Sequence, residues 1–108
     1  MKKEPYGIAA QLASWLRQSP VPEIKRCLRL AQDHGIFVSA RELEAHHLAG
    51  GRIGDLVEAL VEAREQGMKL SFTRAATQDL AKGGEMKVTD WVRDCRRKGL
   101  RDLDEAPL

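Results

Sequence analysis

The 108-residue sequence has few aromatic residues, only two cysteines and almost no net charge. Phenylalanine, tryptophan and tyrosine make up 5% of the chain, and the formal net charge at pH 7 is +2. A charge this small excludes a domain that is basic throughout, as many nucleic-acid-binding domains are. No apolar run approaches the roughly 20 residues that a membrane-spanning helix needs, and the first residues lack the apolar core of a signal peptide. We therefore expect a cytoplasmic protein, or one at the periphery of a membrane.

The residues that could carry catalysis or bind a metal are few and scattered. Cys27 and Cys95 stand alone on apolar stripes, which favours buried, reduced thiols over a disulfide or a zinc site. His46 and His47 are adjacent, and adjacent helical side chains point about 100° apart, so they cannot readily hold one ion. A Cys/His nucleophile pair that includes His34 or His47 stays open, although no local pattern supports it. The sequence thus predicts no catalytic, metal-binding or cofactor-binding residue and no enzymatic activity.

The sequence repeats itself without gaps at a spacing of 32 residues. Gly35 matches Gly67, and Ser39 matches Ser71. Periods in this range are typical of stacked helix pairs, each too small to bury its own apolar face, although chance similarity between two amphipathic helices is the alternative. We predict an all-α fold of about five helices, with tandem helix-pair repeats stacked as a short solenoid-like bundle. The single domain, 5–101, comprises a half unit (5–19), two repeats (22–51 and 54–83) and a closing half unit (86–99), with flexible ends at 1–4 and 102–108.

Glycine and serine positions predict where the helices begin and end. Apolar residues from Ile53 to Gln66 follow a 3.6-residue period, which predicts a central helix that a left-handed Gly67 closes. Ser39 and Glu42 have the spacing of a capping box, which predicts a helix start. The expected structural caps are Gly35, Ser39, Gly51, Gly67, Ser71 and Gly83. The expected inward-facing residues of the two helices that follow the serines are Leu43 and His47, with Leu48 beside them, and Phe72, Ala75, Ala76 and Leu80.

Two further segments have less definite predictions. The links Ile36–Val38 and Met68–Leu70 could pair as a minimal two-stranded bridge. A helix over 5–18 carries one apolar face that includes Trp15. We expect this face to cap the repeat core, and the alternative is an interfacial membrane helix.

Three stretches resemble one protein family. They are Leu-Glu-Ala-His-His-Leu-Ala-Gly-Gly from Leu43, Leu-Val-Glu-Ala-Leu-Val-Glu-Ala from Leu56, and Leu-Ser-Phe-Thr-Arg-Ala-Ala-Thr-Gln-Asp-Leu-Ala from Leu70. They are similar to bacterial flotillin-like proteins, which are membrane-microdomain scaffolds, and the resemblance runs from about Val21 to Leu80. In that family the helical stretch lies between a membrane hairpin and a band-7 domain, and we expect neither in this chain. The resemblance implies a scaffolding role for the helical segment and transfers no catalytic residue.

One cluster of basic residues lies near the C-terminal end of the sequence. A solvated helix face is the ordinary explanation, because Asp90, Asp94 and Asp102 dilute the positive charge. The functional alternatives are attraction to anionic lipid headgroups or to nucleic acid. The scarcity of aromatic residues weakens the case for single-strand binding. The candidate interaction surface consists of Trp91, Arg93, Arg96, Arg97, Lys98 and Arg101.

These observations predict a non-enzymatic protein-interaction or scaffolding module. Its partner would be another protein or a second copy of the chain, with peripheral contact to an anionic membrane surface as an additional interaction and no cofactor. The alternative is a basic helical module that binds nucleic acid, which is not the partner we expect. Binding to nucleic acid would weaken steeply with salt, and this dependence separates the two hypotheses.

Overall fold

The computed structural model describes residues 20–82 and 85–106. Five α-helices follow one another in this part of the chain: α1 (Val21–Asp33), α2 (Ala40–Leu48), α3 (Ile53–Glu65), α4 (Phe72–Lys82) and α5 (Val88–Arg97). The predicted all-α fold is confirmed. None of these helices is both long enough and apolar enough to cross a bilayer. The helix predicted over 5–18 and the cap predicted at Gly83 lie outside the described residues.

Helix α3 lies at the centre of the fold, because apolar residues cover two of its faces. The first face packs against α4, α5 and the C-terminal residues, and the second packs against α1 and α2. The first face follows an i, i+3, i+4, i+7 spacing and the second an i, i+4, i+8 spacing, and both are typical of a buried helical stripe. The first face consists of Leu56, Ala59, Leu60 and Ala63, and the second of Ile53, Val57 and Val61.

Two pairs of helices begin 32 positions apart, α1 with α3 and α2 with α4, whereas the tandem repeat stays a prediction. Helices α1 and α3 have 13 residues each and begin 32 positions apart, at Val21 and Ile53. Gly35 and Gly67 both have φ of +70°, the left-handed conformation predicted for them. After each glycine, a backbone N–H bonds to a carbonyl five residues back, which closes the helix. These bonds run from Ile36 to Ala31 and from Met68 to Ala63, both at 2.8 Å, and a third bond of this kind, from Leu100 to Cys95 at 2.9 Å, follows Gly99 after α5. The stacking of the units as a solenoid stays a prediction.

The two serines cap their helices, whereas the left-handed glycine after α2 is not the predicted cap, Gly51, but the residue before it. Ser39 and Glu42 form a complete capping box, and the Ser71 hydroxyl accepts a hydrogen bond from the Arg74 N–H at 3.1 Å. The left-handed residue after α2 is Gly50, with φ of +92°, and not Gly51. A Cβ atom at Gly51 would lie 2.1 Å from His46 Nε2. Glycine is therefore required at position 51 because a buried imidazole approaches the backbone there.

Helices α2 and α4 differ from the prediction in the faces that they bury. The predicted inward faces include His47, with Leu48 beside it, and Leu80. The structure buries His46 instead and leaves His47 exposed, and Leu48 and Leu80 are 77% and 49% exposed. Polar Gln78 and Asp79 are buried on α4, while Phe72 and Ala76 are half-buried. The physical reason is a buried hydrogen bond between His46 and Asp79, which turns both side chains inward.

The described C-terminal residues, 101–106, bond to the fold; the flexible end predicted at 102–108 includes most of them and two residues outside the described chain. The Lys69 N–H donates to the Arg101 carbonyl at 2.7 Å, and the Leu103 N–H donates to the Lys69 carbonyl at 2.8 Å. These bonds form a parallel bridge between Lys69 and Asp102, so the second link pairs with this segment and not with Ile36–Val38. Leu103 is fully buried in the core. The extra backbone bonds and this burial hold residues 102–106 in place.

We predict that Gly67→Ala destabilises the fold by about 1 kcal/mol, because a side chain is strained in the left-handed conformation. A Cβ atom at this position would meet only Arg101 Nη1 at 3.5 Å, so the cost comes from the backbone. Gly54→Ala is the matched control, since Gly54 lies inside α3 without positive φ and alanine there should stabilise the helix by about 0.5–1 kcal/mol. Urea denaturation of both variants measures the difference. Equal stability of Gly67→Ala and the parent chain would contradict the cap.

Candidate interaction surface

Trp91, the aromatic residue of the predicted surface, belongs to the core. It is 6% exposed and packs in the cluster that contains Val92 and Cys95. Leu103 and Ala106 join the same cluster, so the C-terminal segment covers the end of the stack. One edge of Trp91 still lines a surface pocket between α4 and α5. Its main role is therefore packing, and this placement corrects its assignment to an exposed surface.

Arg93 is held against the neighbouring helix α3. Its Nε–H donates to Glu62 Oε1 at 2.9 Å, and its Nη1 lies 3.5 Å from an Asp90 carboxylate oxygen. The hydrogen bond to Glu62, and then the charge of that carboxylate, raise the pKa of Arg93 above its usual value. This guanidinium is already bonded within the fold and is poorly placed to bind an external anion.

Three of the other basic residues are also bonded within the chain. Lys98 Nζ and Arg97 Nη2 lie 3.0 and 3.1 Å from the two carboxylate oxygens of Asp94, and these hydrogen bonds lower the pKa of Asp94. Arg101 Nη1 donates to the Gln66 carbonyl at 2.9 Å, at the C-terminal end of α3, where positive charge is favourable. Exposed ion pairs contribute little stability, but they reduce the positive field that this surface presents. Arg96 is exposed and has no side-chain bond to another residue of the described chain.

A buried polar contact joins α2 to α4. His46 Nε2 lies 2.7 Å from Asp79 Oδ2, and the two side chains are 2% and 1% exposed. The same oxygen accepts the Arg52 N–H at 2.7 Å, so Asp79 holds both α2 and the start of α3. The edge of the Phe72 ring packs on the imidazole, with centroids 6.3 Å apart. This pair is absent from the sequence-based predictions. The available signal was Asp79, an acidic residue four positions after the inward-facing Ala75 and therefore on the same side of α4.

The thiols of Cys27 and Cys95 and the imidazole of His34 are not arranged for catalysis. Cys27 and Cys95 are buried, and desolvation raises the pKa of each thiol, which keeps it protonated and weakly nucleophilic. His34 Nδ1 lies 2.9 Å from the Leu30 carbonyl, and its Nε2 lies 3.7 Å from Glu65. Across residues 20–82 and 85–106, no three His, Cys, Asp or Glu side chains are grouped so that they could hold a metal ion.

The exposed apolar residues define a different candidate surface. Leu48 on α2 is 77% exposed, and Leu80 on α4 is 49% exposed. Exposed Ala45 lies three positions before Leu48, on the same side of α2, and exposed Ala49 and Ala81 directly follow Leu48 and Leu80 in sequence. Leu48 and Leu80 are 32 positions apart, so they occupy the same place in the two repeats. We name this surface the α2/α4 face; it consists of Ala45, Leu48, Ala49, Leu80 and Ala81.

Comparison with known proteins identifies the family. A family model described as flotillin-like protein FloA matches residues 3–95, which is most of the chain. The chain belongs to the flotillin-like FloA family. It is 40% identical over 65 residues to the flotillin-like protein FloA of Desulfosudis oleivorans, an alignment that covers 60% of this chain and 20% of the relative. This FloA-family chain therefore spans about a fifth of that relative's length.

Other FloA relatives match the same kind of segment. Identity is 42% over 65 residues with the protein of Alkaliphilus metalliredigens, covering 60% of this chain and 20% of the relative. It is 33% over 75 residues with that of Staphylococcus aureus strain JH9, covering 69% of this chain and 23% of the relative. No solved structure matches the chain.

We predict that Trp91→Ala destabilises this FloA-family chain by about 3–5 kcal/mol, because it removes a large buried side chain from the core. Leu103→Ala should also cost about 2–5 kcal/mol, since the C-terminal segment covers the same cluster. Arg96→Ala on the exposed side of α5 is the control and should change stability by less than about 0.5 kcal/mol. Chemical denaturation measures all three. A Trp91→Ala variant as stable as the control would show that the tryptophan is not a core residue.

We predict that His46→Ala costs roughly 3 kcal/mol, because it leaves the Asp79 carboxylate buried with only the Arg52 N–H as a partner. The adjacent His47→Ala is the matched control and should change stability by less than about 0.5 kcal/mol, since His47 is exposed. Thermal and urea unfolding of the two variants give the comparison. Equal losses at the two positions would mean that the His46–Asp79 contact contributes nothing specific.

Proposed function

We propose that this chain is a non-enzymatic module of a membrane-microdomain scaffold and that it acts by binding other protein chains at the cytoplasmic membrane surface. Its membership of the FloA family supports the scaffold role. The α2/α4 face supports contact with protein as the mode of action, because it exposes two large leucines together with three alanines. The buried, protonated thiols are consistent with a role that involves no reaction.

The α2/α4 face is the observation that carries the proposal. Its two leucines stand at equivalent places in the two repeats, so their exposure is a regular feature of the fold. The His46–Asp79 hydrogen bond holds α2 and α4 together, which makes the face rigid before a partner binds. A rigid apolar face loses little conformational entropy on binding, and small residues beside the leucines allow close approach of a partner helix. These properties suit a protein–protein contact.

Nucleic acid is not the partner that the charges favour. A phosphate backbone would have to displace Glu62 from Arg93, and Asp94 from both Arg97 and Lys98. The same competition applies to anionic lipid headgroups. Contact with an anionic membrane surface therefore enters the proposal only as a secondary interaction, made by exposed basic residues such as Arg96 once protein contacts have placed the chain at the membrane.

The test is co-flotation with liposomes that carry a purified full-length relative, such as the FloA protein of Desulfosudis oleivorans. The parent chain should float with these liposomes. The double variant Leu48→Arg/Leu80→Arg should bind at least about tenfold more weakly, because charge is placed in an apolar contact. Lys25→Glu/Arg29→Glu, on the exposed side of α1, is the matched control and should bind like the parent chain. Circular dichroism verifies that both double variants are folded.

Two further arms separate protein from lipid. Control liposomes have the same anionic lipid composition but lack the FloA relative, so flotation with them measures direct lipid binding. Flotation at raised salt measures the electrostatic part of that lipid binding. If the chain floats equally with both kinds of liposome, it binds the lipid and not the FloA relative. Unchanged flotation of the leucine variant would rule out the α2/α4 face, and no flotation of the parent chain would contradict the proposed function.

A further inference from the structure

An open groove separates the link after α1 from the link after α3. Its volume is about 690 Å³, within the range of roughly 300–1,000 Å³ typical of binding pockets. Leu60 and Met68, which are 5% and 6% exposed, line its buried part, and half-buried Ile36 and Leu70 line it as well. The groove is therefore large enough for an apolar side chain together with the backbone that carries it.

Arg64 supplies the charge of this groove. Among the described residues that line the groove it is the charged one, and its guanidinium has no hydrogen-bond or ion-pair partner in the described chain. A Cβ atom at Gly35 would lie 3.2 Å from Arg64 Nη2, so the guanidinium lies against the backbone of the first link. A carboxylate that enters the groove can form a charge-assisted pair with this free guanidinium.

The backbone of the first link is unpaired at the same place. Neither the N–H nor the carbonyl of Phe37 has a hydrogen-bond partner within the described chain, and this residue is 99% exposed. Both ends of the link are anchored, by the bond from the Ile36 N–H to the Ala31 carbonyl and by the capping box at Ser39. An extended segment can therefore pair with this link as an added strand, with little loss of conformational entropy in the link.

The second link shows what kind of segment the fold binds at such an edge. Lys69, 32 positions after Phe37, pairs in parallel with the C-terminal segment, and Leu103 of that segment is fully buried. Aspartates precede and follow this leucine in sequence, and Asp104 accepts the Ser71 N–H at 2.8 Å. An extended segment with a leucine between two aspartates is thus already bound at the corresponding position of the second link.

We propose that the groove binds an extended acidic segment of a different protein. The segment pairs with the backbone of Phe37, places an apolar side chain over Leu60 and Met68, and directs a carboxylate to Arg64. The charge of Arg64 selects an acidic segment, and the pairing at Lys69 is the precedent for a leucine beside aspartates. The described C-terminal segment of this kind is already paired with the second link, which leaves the groove for another protein.

This contact goes beyond the proposed function, because it adds a second surface with its own class of partner. The groove shares no residue with the α2/α4 face. Strand addition gives affinity through backbone hydrogen bonds and specificity through the pocket that takes the side chain. A fatty acid also combines an apolar chain with a carboxylate, but it has no backbone groups to pair with the first link. The peptide is favoured because it uses the apolar surface, the free guanidinium and the unpaired backbone together.

Binding of a synthetic peptide to the full chain tests the inference. The probe is a fluorescently labelled, end-blocked peptide with the sequence of residues 100–106, Leu-Arg-Asp-Leu-Asp-Glu-Ala, and fluorescence anisotropy gives its Kd. Arg64→Glu should weaken binding at least about tenfold, because the new carboxylate repels the aspartates. Arg96→Glu on α5 is the matched control: it changes the net charge equally at another exposed arginine and should bind like the parent chain. Circular dichroism verifies that both variants are folded.

Two N-methylated peptides test the backbone pairing without any change to the protein. In a parallel bridge like that at Lys69, the N–H of the peptide leucine donates to the Phe37 carbonyl, whereas the N–H of the preceding aspartate faces the other edge. N-methylation of the leucine should weaken binding at least about tenfold, and N-methylation of that aspartate by less than about threefold.

Amide NMR spectra locate the bound peptide. The Phe37 and Val38 signals should shift most, and the Leu103 amide should keep its protection from hydrogen exchange, since its bond to Lys69 is undisturbed. Loss of that protection would mean that the peptide displaces the C-terminal segment, which would overturn the inference.

Three other results would also overturn the inference. They are no binding of the probe, equal binding by the two arginine variants, and equal effects of the two N-methyl groups. Dodecanoate that binds in an Arg64-dependent way where the peptide does not bind would assign the groove to a fatty acid instead. None of these results affects the flotation that depends on Leu48 and Leu80, so the proposed function is tested separately.

Discussion

The burial of two faces of α3 is the constraint on which the rest of the structure depends. One face, which includes Leu56 and Leu60, forms the core with α5, and the other, which includes Val57, forms it with α1. Removal of this helix would leave the two halves without a shared core, because the described α1 and α5 meet through it. The two apolar clusters are therefore parts of one packed unit, and the helices α2 and α4 cover its sides.

A polar contact determines how α2 and α4 sit on this core. Asp79 bonds both to His46 and to the Arg52 N–H, so one carboxylate oxygen connects α4 with α2 and with the start of α3. Gly51 is part of the same arrangement, since any side chain there would collide with the imidazole. Because His46 turns inward, Leu48 two positions later turns outward. The exposed α2/α4 face is thus a consequence of the buried His46–Asp79 pair.

The two predicted repeats are similar in their helices and differ in their links. Position 37 carries an exposed phenylalanine, whereas the corresponding position 69 carries a lysine whose backbone pairs with residues 101–103.

Features that depend on neighbouring residues could be predicted from the sequence. The 3.6-residue apolar period of α3, the left-handed glycines at 35 and 67 and the Ser39–Glu42 capping box all involve groups a few positions apart, so their local patterns were sufficient. Three features could be read only from the folded chain: His46 and not His47 turns inward, Leu103 packs in the cluster of Trp91, and Glu62 and Asp94 engage basic residues of α5. Most of these contacts join residues that are distant in sequence, and a rotation of only 100° separates the alternatives for adjacent helical residues. Which of two adjacent residues turns inward depends on the residue that it contacts across the core, and no local sequence pattern specifies that residue.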